Sequence, residues 1–132
     1  KIKDEEFVNE KSNIIKIITS ICSNLPCPQC ASHARGFIRK HKLNLIKTKS
    51  DLVKYIFIMH NDVNKRLKKR IYNFESIEKY KDYNIKAVLS EYYSMNMNLR
   101  LSEKLMIHSY HRKNFLDSFH KYFNSNISKF IQ

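Results

Sequence analysis

Two stretches of this chain hold residues whose types and spacing could do chemistry. The first is Leu25-Pro26-Cys27-Pro28-Gln29-Cys30, which sets two of the three cysteines two residues apart, straight after a proline. At a helix start the first cysteine of such a pair lies near unpaired backbone N–H groups and the positive end of the helix dipole, and both favour thiolate. In such motifs the thiol pKa falls from about 8.5 to roughly 3.5–7.5. The second cysteine sits one turn deeper, close enough to close a disulfide, so one sulfur meets a partner in solvent while the other faces inward. Two other readings compete with thiol exchange. Cys27, Cys30 and His33, with His41 or His60, supply enough ligands for a structural zinc, although no second Cys-x-x-Cys is present. The pair could also be two small core residues. Spacing alone leaves all three open.

The second stretch is His60-Asn61-Asp62-Val63-Asn64-Lys65-Arg66-Leu67-Lys68-Lys69. His60 and Asn64 are four apart and align on one helical face, with Ile56 extending that line toward apolar positions. A histidine and an amide beside a greasy wall suit a flat aromatic ligand with a few hydrogen-bonding atoms. Tyr55 adds a ring that could stack, and Lys69 with its basic neighbours could meet a phosphate. The plain reading is a helix with a satisfied histidine and a solvated lysine end.

The elements that must position these residues read as helical. The 132 residues make about one domain and include one glycine, two prolines and no tryptophan. So few glycines leave few sites for tight hairpin turns, and Gly36 alone cannot build a phosphate-cradling glycine loop. Ile14, Ile15, Ile17, Ile18, Ile21 and Leu25 follow helical spacing, and Pro26 stops that helix, predicted over 4–23. A second helix is expected over 26–40 with Ala31, Ala34, Phe37 and Ile38 inward. A third is expected over 51–70, capped by Ser50, with Leu52, Tyr55, Ile56, Met59, Val63 and Leu67 as its stripe. A short helix near 75–80, a longer one over 83–94, a joint at Ser94–Asn98 and one or two helices over 101–130 complete the prediction. The last segment carries Leu101, Leu105, Phe115, Leu116, Phe119, Tyr122 and Phe123. The βαβ alternation of a thioredoxin-type fold is absent.

Three cysteines cannot make a disulfide-rich secreted scaffold, the opening KIKDEEFVNE is charged rather than apolar, and no apolar run approaches the ~20 residues that span a bilayer. A soluble, intracellular chain with no membrane partner is expected. The opening on Lys1 suits a fragment or a processed product. The net charge of +13 is spread along the chain, with one tight cluster at 65–70. Nucleic acid is therefore the weaker reading of that charge.

Together the two stretches resemble the Erv/ALR family of FAD-dependent sulfhydryl oxidases. The resemblance rests on an LPCxxC helix start, a histidine three residues after the second cysteine, and HNxVNxxLxK on a later helix. It covers roughly residues 5–95 and looks most like the compact versions of large DNA viruses, poxvirus-like and African swine fever virus-like. The resemblance implies an all-α fold: a four-helix bundle around FAD with a short fifth helix, usually a homodimer. It divides the chain into an oxidase core at 1–95 and a C-terminal helical extension at 96–132. Cys27 matches the sulfur attacked by the incoming thiolate, and Cys30 the cysteine nearer the isoalloxazine. His60, Asn61, Asn64 and Lys69 match FAD-contacting positions, and Val63 and Leu67 apolar positions of the same motif. His33 matches a position close to the cofactor. Tyr55 stands where the family often has tryptophan.

The activity so implied is thiol oxidation. A protein thiol, or a small thioredoxin-like carrier, gives electrons to the Cys27–Cys30 disulfide, FAD takes them, and molecular oxygen leaves as hydrogen peroxide, in the host cytoplasm or the virion. No metal enters this reading. Its alternative is a basic helical module with zinc on Cys27, Cys30 and histidines, contacting nucleic acid. The chain departs from the family in two places. No Trp-x-x-Leu-His-like helix precedes the first predicted helix; it is expected upstream of Lys1, or replaced by the C-terminal helix, where Phe119 and His120 in LDSFH echo its spacing. A distal shuttle Cys-x-x-Cys is also missing.

Overall fold

The computed structural model describes residues 1–99 and 106–131, apart from the side chains of 106–108. Among the described residues, five α-helices carry the fold: α1 (Asp4–Ser23), α2 (Pro28–His41), α3 (Lys49–Arg66), α4 (Ile85–Met97) and α5 (Met106–Asn126). Single 3-10 turns follow α2 at Leu43–Leu45 and α5 at Ile127–Lys129, and a longer 3-10 stretch, Phe74–Asp82, leads into α4. Among the described residues there is no strand, only one antiparallel bridge between Ile2 and Phe130. The fold is all-α, in line with the helical reading that the scarcity of glycine favours. No helix among the described residues is long and apolar enough to cross a membrane.

The helix ends follow local chemistry. Ahead of Pro26, α1 closes at Ser23, with Asn24 donating its side-chain amide to the Ser20 carbonyl at 2.8 Å. The second helix begins later than 26, because Cys27 serves as N-cap and Pro28 takes the first helical position, where its missing N–H costs nothing. The cap of α3 is Thr48 rather than Ser50. Thr48 Oγ1 accepts from the Asp51 N–H at 3.1 Å, and the Asp51 carboxylate accepts from the Thr48 N–H at 2.9 Å. Asp51 supplies the reciprocal half of a capping box, which a cap at Ser50 would forgo. Asn84 caps α4, accepting from the Ala87 N–H at 3.0 Å, and that helix runs through the expected joint to Met97. Leu101 and Leu105 lie outside the described residues.

The far end of α3 differs most from the sequence pattern. The apolar repeat predicts a helix to residue 70, but it stops at Arg66. The Lys69 N–H donates to the Asn64 carbonyl at 2.8 Å and the Lys68 N–H to the Lys65 carbonyl at 3.1 Å, with Lys68 at φ 55°. This is the six-to-one and five-to-two bonding of a Schellman stop, with lysine at the left-handed position where glycine is usual. Lys69 therefore leaves the face that carries His60 and Asn64, while Leu67 closes the last helical bond, to the Val63 carbonyl at 3.0 Å.

The core gathers Phe7, Leu43, Ile46, Leu52 and Tyr55 with Ile2 and Phe130 from the two ends of the chain. Ile14, Ile15 and Ile18 of α1 and Phe37 and Ile38 of α2 pack against it. Ala31 and Ala34 are buried, and their small size lets α2 lie close to its neighbours. Leu43, 2 % exposed in the turn after α2, anchors the α2–α3 connection. The α5 helix packs on α4 and α1 and buries Leu116 and Phe119.

Candidate functional site

The cysteine pair is built by the start of α2. Cys27 occupies the N-cap, and its sulfur accepts the Cys30 N–H at 3.2 Å. A sulfur in this place receives N–H groups that the helix leaves unpaired. Cys27 is exposed and Cys30 half-buried, and both are free thiols in this structure. The Cys30 thiol donates to Cys27, which is the first reason the Cys27 pKa lies below its usual value; the backbone N–H groups of Cys30 and Gln29 and the Arg66 charge add to it. The same hydrogen bond holds Cys30 up, with burial and the Cys27 charge acting alike, while Arg66 pulls the other way. When the pair ionises, the outer sulfur therefore loses its proton before the inner one. Such a polarity suits thiol exchange, in which an accessible sulfur reacts and a second one behind it resolves.

The last turn of α3 reaches this pair. The Arg66 guanidinium lies near enough to act by charge on both cysteines and to favour the Cys30 thiolate. Farther along, the Phe37 and Tyr55 rings meet edge to face at 5.5 Å. These two contacts order α2 and α3 antiparallel. Arg66 belongs to the HNDVNKRLKK stretch, at a position to which the family resemblance assigns no role. No local pattern marks it, because the meeting depends on how the two helices fold back at the 42–48 connection.

Tyr55 is 9 % exposed, and its hydroxyl is buried with no hydrogen-bond partner. Burial and the nearby Cys22 keep that phenol protonated. Cys22 is itself buried, its pKa raised by desolvation, and it also lies near Tyr92. His60 is exposed on α3, while Val63 and Asn64 are half-buried. Asn61 is engaged: its side-chain amide donates to the Tyr72 carbonyl at 2.9 Å and accepts the Tyr72 N–H at 3.1 Å, tying the segment after α3 back onto the helix. His33 lies exposed one turn beyond Cys30, Leu67 is half exposed at the helix C-cap, and Lys69 is exposed beyond it. Among the described residues no three His, Cys, Asp or Glu side chains converge as a metal site would need, so the zinc reading has no assembled ligand set.

An apolar cavity of about 230 Å³ lies elsewhere, lined by Ile14, Ile17, Ile18, Leu52, Val53 and Phe123 among others. Val53 precedes Arg66 by thirteen residues, about 20 Å of helix, so this cavity and the cysteine pair belong to opposite ends of α3. The echo in α5 is occupied structurally: Phe119 is buried against Tyr92 and Phe123, and His120 tilts on Tyr93 at 4.7 Å.

The sequence pattern of the Erv1 / Alr family matches residues 1–83. Among curated proteins, the chain is similar to the FAD-linked sulfhydryl oxidases of African swine fever virus. Versions from a Kenyan pig isolate and a Malawian tick isolate are each 39 % identical over 62 residues, covering 47 % of this chain and 51 % of theirs. The chain thus spans about half the length of the curated relatives it matches. No solved structure matches it. A matched pattern that includes the helix-capping cysteine pair and the α3 motif, on an all-α fold, makes the chain a member of the Erv1/Alr family.

Proposed function

We propose that this chain is the redox core of an FAD-linked sulfhydryl oxidase that makes disulfides in protein thiols. The carrying observation is the polarised pair at the start of α2, with Cys27 accessible and Cys30 turned toward the end of the α3 motif. A substrate thiolate attacks Cys27 in the oxidised pair and displaces Cys30. A second substrate thiol then attacks the mixed disulfide and leaves as substrate disulfide, with Cys27 and Cys30 reduced. The chemistry that bound FAD would supply is uptake of the pair's two electrons and their transfer to oxygen, giving hydrogen peroxide.

The residues present fit that cofactor. A buried hydroxyl with no partner is costly, and the Tyr55 hydroxyl, beside the Phe37 ring, suits a polar ligand atom. His60 and Asn64 share one face and offer hydrogen bonds, Val63 offers apolar contact, and Leu67, Lys69 and His33 border the same end of the helices. Asn61 keeps one donor and one lone pair free after binding Tyr72. The chain's own contribution is to hold the sulfurs, set which one carries charge and present a basic edge to a phosphate. The electron donor is a protein thiol or a small thioredoxin-like carrier, the working unit a homodimer, and the place of action an infected cell's cytoplasm or the virion. Residues 1–95 form the oxidase core and 96–132 an extension that completes its packing.

The test is the visible absorption spectrum of purified protein together with oxygen consumption on dithiothreitol. A flavin spectrum, with consumption abolished by either Cys27→Ser or Cys30→Ser, is expected. A colourless protein that stays inactive after FAD is added, in a chain extended upstream as well as in this one, overturns the reading.

A further inference from the structure

Arg66 stands outside every position that the family motif assigns, yet it is the group that α3 brings to the cysteines. Cys30 lies seven residues before Phe37, about 10 Å of helix, and Arg66 eleven residues after Tyr55, about 16 Å. With Phe37 against Tyr55 and the helices antiparallel, the Arg66 backbone overshoots Cys30 by about one turn. Helical side chains lean toward their own N-terminus, so the long Arg66 side chain reaches back over that turn toward the cysteines, on which its charge acts. The Schellman stop immediately after it fixes this last turn, since Asn64 and Lys65 carbonyls are tied to Lys69 and Lys68.

We propose that Arg66 is the charge-holding residue of the exchange reaction, receiving the thiolate on Cys30 when Cys27 enters the mixed disulfide. In that step the substrate sulfur attacks Cys27 Sγ, the Cys27–Cys30 bond breaks, a substrate–Cys27 bond forms, and the electron pair of the broken bond leaves on Cys30 Sγ. Cys27 is then neutral and bonded. The charge and hydrogen bond that opposed ionisation of Cys30 in the reduced pair are gone, and Arg66 remains. Cys27 from its own helix start and Arg66 from α3 are the titratable or charged groups acting on Cys30. A stabilised thiolate is also the better leaving group, so Arg66 speeds the exchange and commits it to Cys27. A guanidinium suits the task because it stays charged and offers several N–H donors in a fixed plane.

This inference rests on the thiol-exchange reading but is tested without flavin. In the full chain carrying Cys27→Ser, which mimics a consumed Cys27 and keeps an N-cap oxygen, the Cys30 thiolate is titrated by its ultraviolet absorbance and by alkylation rate against pH. Cys22 is removed by Cys22→Ala in every variant. Adding Arg66→Gln is expected to move the midpoint up by on the order of one pH unit, and Arg66→Lys to restore part of that shift. A midpoint that stays put in Arg66→Gln overturns the proposal, even if the protein proves to be an active oxidase. A shifted midpoint in a chain that never takes up FAD supports Arg66 and counts against the oxidase reading instead.

Discussion

At the scale of single residues, the division between Cys27 and Cys30 comes from position rather than type. Cys27 receives the helix-start N–H groups and the Cys30 thiol, so its thiolate persists below the pH at which an ordinary cysteine protonates. Iodoacetamide at neutral pH should modify Cys27 faster than Cys30 in reduced protein, and mass spectrometry of the modified peptides measures the ratio. Cys30→Ala should raise the Cys27 midpoint, because the largest stabilising contact is lost. Tyr55 gives a second prediction. Its orphaned hydroxyl costs roughly 1–3 kcal/mol when no ligand meets it, so Tyr55→Phe should stabilise the flavin-free protein by about 1 kcal/mol in urea unfolding. If the hydroxyl serves FAD, the same change weakens flavin retention.

At the scale of elements, the connection between α2 and α3 sets the site, because it decides which turn of α3 faces the cysteines. Leu43 is its anchor. Leu43→Ala should cost about 2–5 kcal/mol, and the loosened hairpin should also shrink the difference in alkylation rate between Cys27 and Cys30. The stop of α3 is tunable at Lys68, whose left-handed conformation penalises any side chain. Lys68→Gly should add about 0.5–1 kcal/mol of stability, the left-handed penalty of roughly 1–2 kcal/mol less glycine's extra unfolded-state entropy. Denaturant midpoints read both variants.

At the scale of the whole molecule, the two ends of the chain are clasped. Lys3 N–H donates to the Lys129 carbonyl at 3.0 Å and Ile131 N–H to the Lys1 carbonyl at 2.7 Å. Beneath this clasp lies Glu10, buried on α1. Its carboxylate accepts from Tyr122 Oη at 2.6 Å and Asn13 Nδ2 at 3.0 Å and pairs with Lys129. The hydrogen bond from Lys129, then those from Tyr122 and Asn13, bring its pKa from 4.5 down to about 2. A depressed folded-state pKa means that stability is gained above the unfolded value and lost as pH falls through the folded one. Glu10→Gln should therefore be less stable than the parent at pH 6, with the gap closing between about pH 4.5 and pH 2. Thermal unfolding across that range checks the sign.

The sequence by itself determined the helical class, the limits of α1, the pair at a helix start and the face shared by His60 and Asn64. These follow from short-range rules: glycine scarcity, proline stops and a helical repeat. It placed the cap of α3 two residues late, because Asp51 was not read as the reciprocal half of a capping box with Thr48. It ran α3 past Arg66, because a lysine in a left-handed stop leaves no glycine to read. Tertiary structure alone decided that Arg66 reaches Cys30, that Asn61 holds Tyr72, that Tyr55 keeps an unpaired hydroxyl, and that the C-terminal helix closes on Glu10. Each of these joins residues through the packing of separate elements. Helical periodicity tells which face of a helix is apolar, but not which turn of its neighbour that face will meet.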